Sequence, residues 1–425
     1  MDRLEFLRRM GCGAGLMVAT RGTGQSTELA RAAWPVAYRA DEPEAFWHAV
    51  RDQYAIYPPL IYLNSGGLGP SPRPVLDILE LTARQLQHRI ETGHFFFEQA
   101  RGIVAEFFGA SIEEICFARN ATEGNSIIAA GLGLRAGDEV ILETHAHPGG
   151  SLPWLNQARQ AGVVVRAFTP DANSAAGNLE RIAALVGPRT RVVQVSHVTA
   201  PTGIVMPVRE IATLCRAKSI WFHIDGAQSA GMIPFKLQEI GCDSYAASGH
   251  KWLGGPRESG LLFIRQDQID RVAPLHLGAY SSGDFDLSGH LTFTQGVRRH
   301  EYGTRNAATV VALAEATRFQ SQIGRERLAV RNASLISRLV DGLRDLPRVT
   351  ILSPEAAEQR SAMLTFRIDG IPGANVFHRL MDAHRLRCRP VNEEKLDAVR
   401  VSFHIFNTVA DCDRLIAAVR QIVQP

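Results

Sequence analysis

From about Pro70 the chain alternates between stretches with apolar residues at helical spacing and short apolar runs of strand length. After the breaker Pro72-Arg73-Pro74, residues Leu76, Leu79, Ala83 and Leu86 recur at a period that predicts a helix. Strand-like runs follow at Ile115-Cys116-Phe117, Glu139-Val140-Ile141-Leu142, Val163-Val164-Val165 and Val192-Val193-Gln194-Val195. Three more are Ser219-Ile220-Trp221-Phe222-His223-Ile224, Ser244-Tyr245-Ala246-Ala247 and Leu261-Leu262-Phe263-Ile264. Helical stretches separate several of them, one expected from Ser126 to Leu132. The pattern predicts an α/β protein whose largely parallel sheet is covered on both faces. Ligands of such sheets collect at the carboxyl ends of the strands. Beyond Asn306 the texture changes. A long helical stretch from Ala307 to about Leu346 leads to two strand-like runs, Met363-Leu364-Thr365-Phe366-Arg367-Ile368 and Ala398-Val399-Arg400-Val401-Ser402-Phe403, which predicts a smaller α+β domain.

The length of 425 residues accommodates this two-domain plan. We divide the chain into residues 1–32, a segment 33–70 that contributes to the small domain and the mouth of the site, a large domain 71–305 and a small C-terminal domain 306–425. A net charge of +3, with basic residues scattered among acidic ones, gives no reason for a nucleic-acid or anionic-membrane partner. No repeat and no apolar run long enough to span a bilayer is present. Cys12, Cys116, Cys215, Cys242, Cys388 and Cys412 form no C-x-x-C pair and read as buried free thiols, not as a metal site. Residues 1–32 have the layout of an export signal: Arg3, Arg8 and Arg9, a short mildly apolar run from Met10 to Thr20, and Ala30-Arg31-Ala32 as a cleavage site. They resemble a degenerate twin-arginine signal, with Leu4 where the second arginine would stand, so the expected location is the periplasm, with the cytoplasm as the alternative.

The chemistry concentrates at strand ends. Asp225, in His223-Ile224-Asp225-Gly226-Ala227-Gln228, and Lys251, in Ser248-Gly249-His250-Lys251-Trp252, are delivered by neighbouring strands. A lysine amine that condenses with an aldehyde and a carboxylate that keeps a pyridine nitrogen protonated are what pyridoxal 5'-phosphate requires. Asn120-Ala121-Thr122-Glu123-Gly124-Asn125 leaves a strand and opens a helix, where free N–H groups and the helix dipole suit a phosphate. His147, in Glu143-Thr144-His145-Ala146-His147-Pro148, is placed to stack on a pyridine ring and to take part in proton transfer; His145 reads as an ordinary loop histidine. Gln228 can donate to the phenolic oxygen, and Ser248 and His250 can reach the phosphate. Arg400, on a strand of the small domain, suits a substrate carboxylate, although a surface arginine at a strand end is an equal reading of the residues alone.

Together these motifs resemble the class V aminotransferase family of pyridoxal phosphate fold type I, which holds cysteine desulfurases and isopenicillin N epimerase-like enzymes. The resemblance runs from about Tyr62 to Leu415. It implies that Ala121 and Thr122 hold phosphate with Ser248 and His250, that His147 stacks on the ring, that Asp225 meets the pyridine nitrogen, that Gln228 meets the phenolic oxygen, and that Lys251 forms the Schiff base. Tyr62-Leu63-Asn64-Ser65-Gly66-Gly67-Leu68-Gly69-Pro70 resembles the family's loop beside the substrate, which brings in Asn64. Glu301-Tyr302-Gly303-Thr304-Arg305-Asn306 resembles the segment whose threonine reaches the phosphate of a neighbouring subunit, so Thr304 implies a homodimer with shared sites. Arg400-Val401-Ser402-Phe403 resembles the carboxylate-binding strand.

Two departures shape the expected reaction. Ala200 stands where cysteine desulfurases carry a cofactor-contacting asparagine, and no cysteine lies at the spacing of their persulfide-forming residue; Cys388 reads as a buried thiol. The expectation is an enzyme acting at Cα of an amino acid or small peptide, by epimerase-like or lyase chemistry. The alternatives are amino transfer, desulfuration, peptide or siderophore tailoring in the periplasm, and a protein that holds the cofactor without turnover.

Overall fold

The computed structural model describes residues 37–424. The export signal and Cys12 lie outside them. The chain opens with a helix, Pro43–Arg51, and a two-residue strand, β1 (Ile61–Tyr62). The main sheet is built from β2 (Ile115–Ala118), β3 (Glu139–Glu143), β4 (Val164–Phe168), β5 (Thr190–Ser196), β6 (Trp221–Asp225), β7 (Ser244–Ser248) and β8 (Gly260–Ile264), in the order β2-β8-β7-β6-β5-β3-β4. Six of these strands run parallel; β8 alone is antiparallel to its neighbours β2 and β7. Its direction has no signature in an apolar run such as Gly260–Ile264, because burial on both faces reads the same either way. Ile141, Val193, Val195, Phe222, Ile224, Tyr245 and Phe263 join one large core, and Val140, Leu142, Val192, Trp221 and Leu262 join a second one across the sheet. That is the two-sided burial the sequence predicts.

A short exposed hairpin follows, β9 (Ser282–Phe285) with β10 (Leu291–Phe293). The small antiparallel sheet has the order β11 (Val349–Ile351), β12 (Met363–Ile368), β15 (Ala398–Ser402), β14 (Arg389–Val391), while β13 (Leu386–Arg387) pairs in parallel with β1. Residues 61–63 thereby enter the small-sheet core, with Ile61 and Leu63 packed among Leu335, Leu339, Val399 and Val401.

Two expectations are corrected. The stretch from Ala307 is two helices, Ala307–Ile323 and Arg325–Leu343, broken at Gly324, whose φ of 93° only glycine adopts without strain. The first adds Ala307, Val310 and Leu313 to the large-sheet core, and the second adds Leu335, Ile336 and Leu339 to the small-sheet core. The helix expected from Ser126 starts at Ala121, because Asn120 caps it by accepting from Glu123 N at 3.0 Å. The helix expected after Pro72-Arg73-Pro74 is Arg73–Arg89; it buries Val75, Ile78 and Thr82, with Val75, Ile78 and the partly buried Leu79 against Ala312 and Ala316, and leaves Leu76 42% exposed.

Among the described residues no helix is long and apolar enough to cross a membrane, and no cluster of three or more His, Cys, Asp or Glu could hold a metal ion. Cys116, Cys215, Cys242, Cys388 and Cys412 are buried free thiols, as expected.

Candidate functional site

The carboxyl ends of β2, β3, β5, β6 and β7 share one edge of the sheet, and the candidate residues gather there. From β7 the chain passes through Ser248 into the turn Gly249–Leu253, which carries His250 and Lys251. The loop at 66–70 closes over this turn, with Gly69 N donating to His250 O at 2.7 Å. A side chain at Gly69 would begin 1.8 Å from the Lys251 carbonyl oxygen, so glycine is required for that approach. Lys251 is half-buried. Burial lowers its pKa to about 8; Asp225 opposes this shift, and Arg400 and Arg389 reinforce it. At pH 7 about a tenth of the amine is therefore uncharged and nucleophilic, against well under a thousandth for an ordinary lysine.

Asp225 ends β6 and is buried. Its Oδ1 accepts from Ala227 N and its Oδ2 from Asn125 Nδ2, both at 3.0 Å. Asn125 Nδ2 also donates to Gly149 O at 3.1 Å, and Asn125 Oδ1 lies 2.9 Å from His223 Nε2. His223 Nδ1 lies 2.7 Å from Ser244 Oγ, which accepts from Trp221 Nε1 at 2.8 Å. The donors along this chain can be assigned. A carboxylate only accepts, so the Asn125 amide nitrogen faces Asp225 and its oxygen must accept from His223 Nε2–H. Burial holds the His223 pKa near 3, so the ring is neutral and its Nδ1 accepts from Ser244. The result is a directional series, Trp221 to Ser244 to His223 to Asn125 to Asp225. Gly150 permits a close fit around it, since a Cβ there would stand 2.9 Å from Asp225 Oδ2.

The prospective phosphate cradle lies at the start of Ala121–Gly131. Ala121 N donates to Ser248 Oγ at 3.0 Å, which leaves that hydroxyl's own hydrogen to give. Thr122 is exposed at the first turn. His250 is held near pKa 4 by burial, then by Lys251 and Arg257, and its buried Nδ1 has no partner. His147 stands exposed at the N-terminus of Pro148–Ala161, where its Nδ1 accepts from Gly149 N at 3.0 Å, so the ring proton of the neutral form is on Nε2. Although its ring edge meets solvent, the protein packed around it, and then Lys251, lower its pKa. His145 lies in the turn after β3, a loop histidine as expected; it is buried, 3.1 Å from Thr202 Oγ1.

The opposite wall comes from the small sheet. Arg400 is 1% exposed; one amino group donates to Ala200 O at 2.5 Å, the other reaches Asn64 Oδ1 at 3.3 Å, and Nε has no partner. Burial, then Arg389, depress its pKa to about 9. No carboxylate pairs with it among the described residues, which decides between the two readings of the residue: this is a buried cation beside the cleft, not a surface arginine. Gln228 is pinned between Trp252 Nε1, which donates to its Oε1 at 2.8 Å, and Gly66 O, to which it donates at 2.9 Å, leaving one amide N–H.

Lys251, Asp225, His147, Arg400, Asn64, Gln228, Ser248, His250, Ala121 and Thr122 are thus gathered around one cleft. Thr304 is not among them. It is exposed on a segment anchored by the buried ion pair of Arg101 with Glu301 at 2.7 Å. Sequence reasoning missed Asn125, His223 and Arg389. Asn125 lies one helical turn after Ala121, and His223 two residues before Asp225 on the same strand face; those spacings are the signal that was available.

The donor set fits pyridoxal 5'-phosphate. A depressed lysine amine, an ionisable carboxylate at hydrogen-bonding position, and an unpartnered buried His250 nitrogen beside a helix N-terminus correspond to its aldehyde, ring nitrogen and phosphate. Fold and site together define a pyridoxal phosphate enzyme of fold type I. The sequence profile described as Aminotransferase class-V matches residues 62–415, and the chain belongs to that family. It is 31% identical over 397 residues to isopenicillin N epimerase of Amycolatopsis lactamdurans, covering 88% of this chain and 98% of that one. Among solved structures it is similar to the apo cysteine desulfurase of Thermococcus onnurineus NA1, with a TM-score of 0.81 and 26% identity over 91% of this chain and 99% of that one. It is also similar to a lysine mutant of C-DES with glycine covalently linked to its PLP cofactor, with a TM-score of 0.80 and 26% identity over 87% of this chain and 98% of that one.

Proposed function

We propose that this enzyme binds pyridoxal 5'-phosphate at Lys251 and moves the Cα proton of an amino acid or small peptide, in an epimerase-like or lyase reaction. The observation that carries the reading is the half-buried Lys251 amine, depressed to about 8, in the field of both Asp225 and the unpaired Arg400. When bound, the cofactor supplies an aldehyde for the substrate amine and a protonated ring that accepts the electron pair left at Cα. Arg400 binds the substrate carboxylate bidentately and Asn64 steadies that guanidinium. Asp225, oriented by Asn125 and Ala227 and with lone pairs to spare, would keep a proton on the ring nitrogen. Ser248 Oγ–H, the Thr122 first turn and His250 hold the phosphate. His147 would stack on the ring. The Lys251 amine, with its lowered pKa, would take the Cα proton on its Nζ.

The similarity to an isopenicillin N epimerase over nearly the full length of both chains supports the epimerase-like branch. Cys388 counts against transfer of sulfur to a protein thiol: burial raises its thiol to about 12, away from the reactive thiolate range. A homodimer with Thr304 reaching a partner's phosphate is part of the same proposal. It is supported by the exposed Thr304 and by exposed apolar residues on the neighbouring hairpin segment, Leu277 (54%), Phe285 (61%) and Leu287 (101%).

The test is Cα exchange. Holoenzyme incubated in deuterium oxide with a panel of amino acids and dipeptides of both hands should incorporate deuterium at Cα of its substrate. Inversion of configuration marks an epimerase, and release of a β- or γ-substituent marks a lyase. A panel in which neither exchange nor cofactor absorbance responds to any compound would favour a binding protein without turnover.

A further inference from the structure

We infer that the substrate carries a second acidic group in its side chain, and that Arg389 reads it; this rests on the proposed reaction at Cα. Arg389 and Arg400 are direct cross-strand partners on β14 and β15. Residues paired in this way project from the same sheet face with their side chains adjacent, and like charges so placed repel. Thr365 on β12, the other partner of Arg400, lies in the same row and donates to Pro201 O at 2.5 Å, so this row faces the loop at the edge of the cleft. Arg389 acts electrostatically on Lys251, His147 and Arg400. Its guanidinium therefore stands at the cleft, with its side chain 30% exposed.

Two arginines on this wall share one nearby counter-ion. Glu393 pairs with Arg389, and although burial opposes it, that bond holds the Glu393 carboxyl below its usual range. Arg400 is left without a carboxylate, and the wall has one cation in excess. The substrate's α-carboxylate answers Arg400. Glu393 is a replaceable partner for Arg389: it is only half-buried, in an exposed turn where Glu394, Lys395 and Asp397 all take left-handed φ angles of 51°, 57° and 44°. Side chains other than glycine rarely adopt such a backbone. A carboxylate or sulfinate reaching from the substrate side chain matches the Arg389 fork and competes with Glu393 for it. A neutral side chain of the same shape leaves the ion pair closed and gains nothing from it.

The experiment titrates holoenzyme with glutamate and glutamine, and with aspartate and asparagine, in both hands, following cofactor absorbance. The expected result is binding of an acid at least about tenfold tighter than its amide. Arg389→Met should bring the two within about threefold by weakening the acid alone, Arg389→Lys should restore part of the difference, and Glu393→Gln should tighten the acid several-fold. An amide bound as tightly as its acid by the wild type would overturn the inference. So would Arg389→Met weakening both by the same factor. No absorbance change with the acids, in a holoenzyme that exchanges Cα deuterium with some neutral amino acid or dipeptide, would also overturn it; silence with the whole panel would instead count against the reaction at Cα itself.

Discussion

The two walls of the cleft are built on opposite principles. On the large sheet, the Asp225 carboxylate, the Asn125 amide and the His223 ring have each hydrogen bond assigned, in a buried series that runs back to Trp221. On the small sheet, Arg400 is buried with its Nε unpartnered and no counter-ion, and Arg389 has only a half-exposed glutamate. A network with every donor assigned allows one geometry, which suits a cofactor that stays in place. An unneutralised wall is completed by what arrives, which suits a substrate. The contrast makes cofactor affinity and substrate affinity separable by mutation.

The largest expected effect falls on the residue that joins the two walls. Lys251→Ala should abolish the yellow absorbance of the attached cofactor and lower turnover by at least about 10²–10⁴-fold from lost proton transfer. Absorbance spectra and Cα exchange report both losses. Next is Asn125→Ala, which strips partners from Asp225 Oδ2, Gly149 O and His223 Nε2. Each unsatisfied buried group costs about 1–3 kcal/mol. Cofactor affinity should therefore fall by roughly 5- to 150-fold with near-native circular dichroism. Unchanged affinity would mean that the network supports packing and not the carboxylate.

Arg400→Met should break the comparison from the other side. Cofactor affinity should stay within about twofold of wild type while KM for the preferred substrate rises roughly 100-fold, from loss of a bidentate charged contact of about 2–3 kcal/mol. The smallest effect concerns pH. Because the Lys251 pKa is lowered to about 8, the neutral amine grows about tenfold per pH unit up to about 8 and then levels. Stopped-flow rates of cofactor attachment to the apoprotein should follow that curve. A lysine at its ordinary value would keep accelerating beyond pH 10.

Much of this was legible in the sequence. Unbroken apolar runs such as Val192-Val193-Gln194-Val195 mark strands buried on both faces, and the spacing of Asp225 and Lys251 marks the chemistry, because both depend on local pattern. What was not legible depends on partners distant in the chain. Asn125 and His223 meet across 98 positions. Arg389 gains meaning only from its register with Arg400. The buried face of Arg73–Arg89 is not legible either, since Leu76 and Val75 are equally apolar and only the approach of Ala312 and Ala316 decides between them.

The central claim is tested most directly by where the cofactor attaches. The chain has four lysines, Lys218, Lys236, Lys251 and Lys395. Borohydride reduction of the pyridoxal phosphate-loaded protein, followed by peptide mass mapping, should place one phosphopyridoxyl group on Lys251 and none on the other three. An adduct spread over the exposed lysines, or one that persists unchanged in Lys251→Ala, would contradict the account.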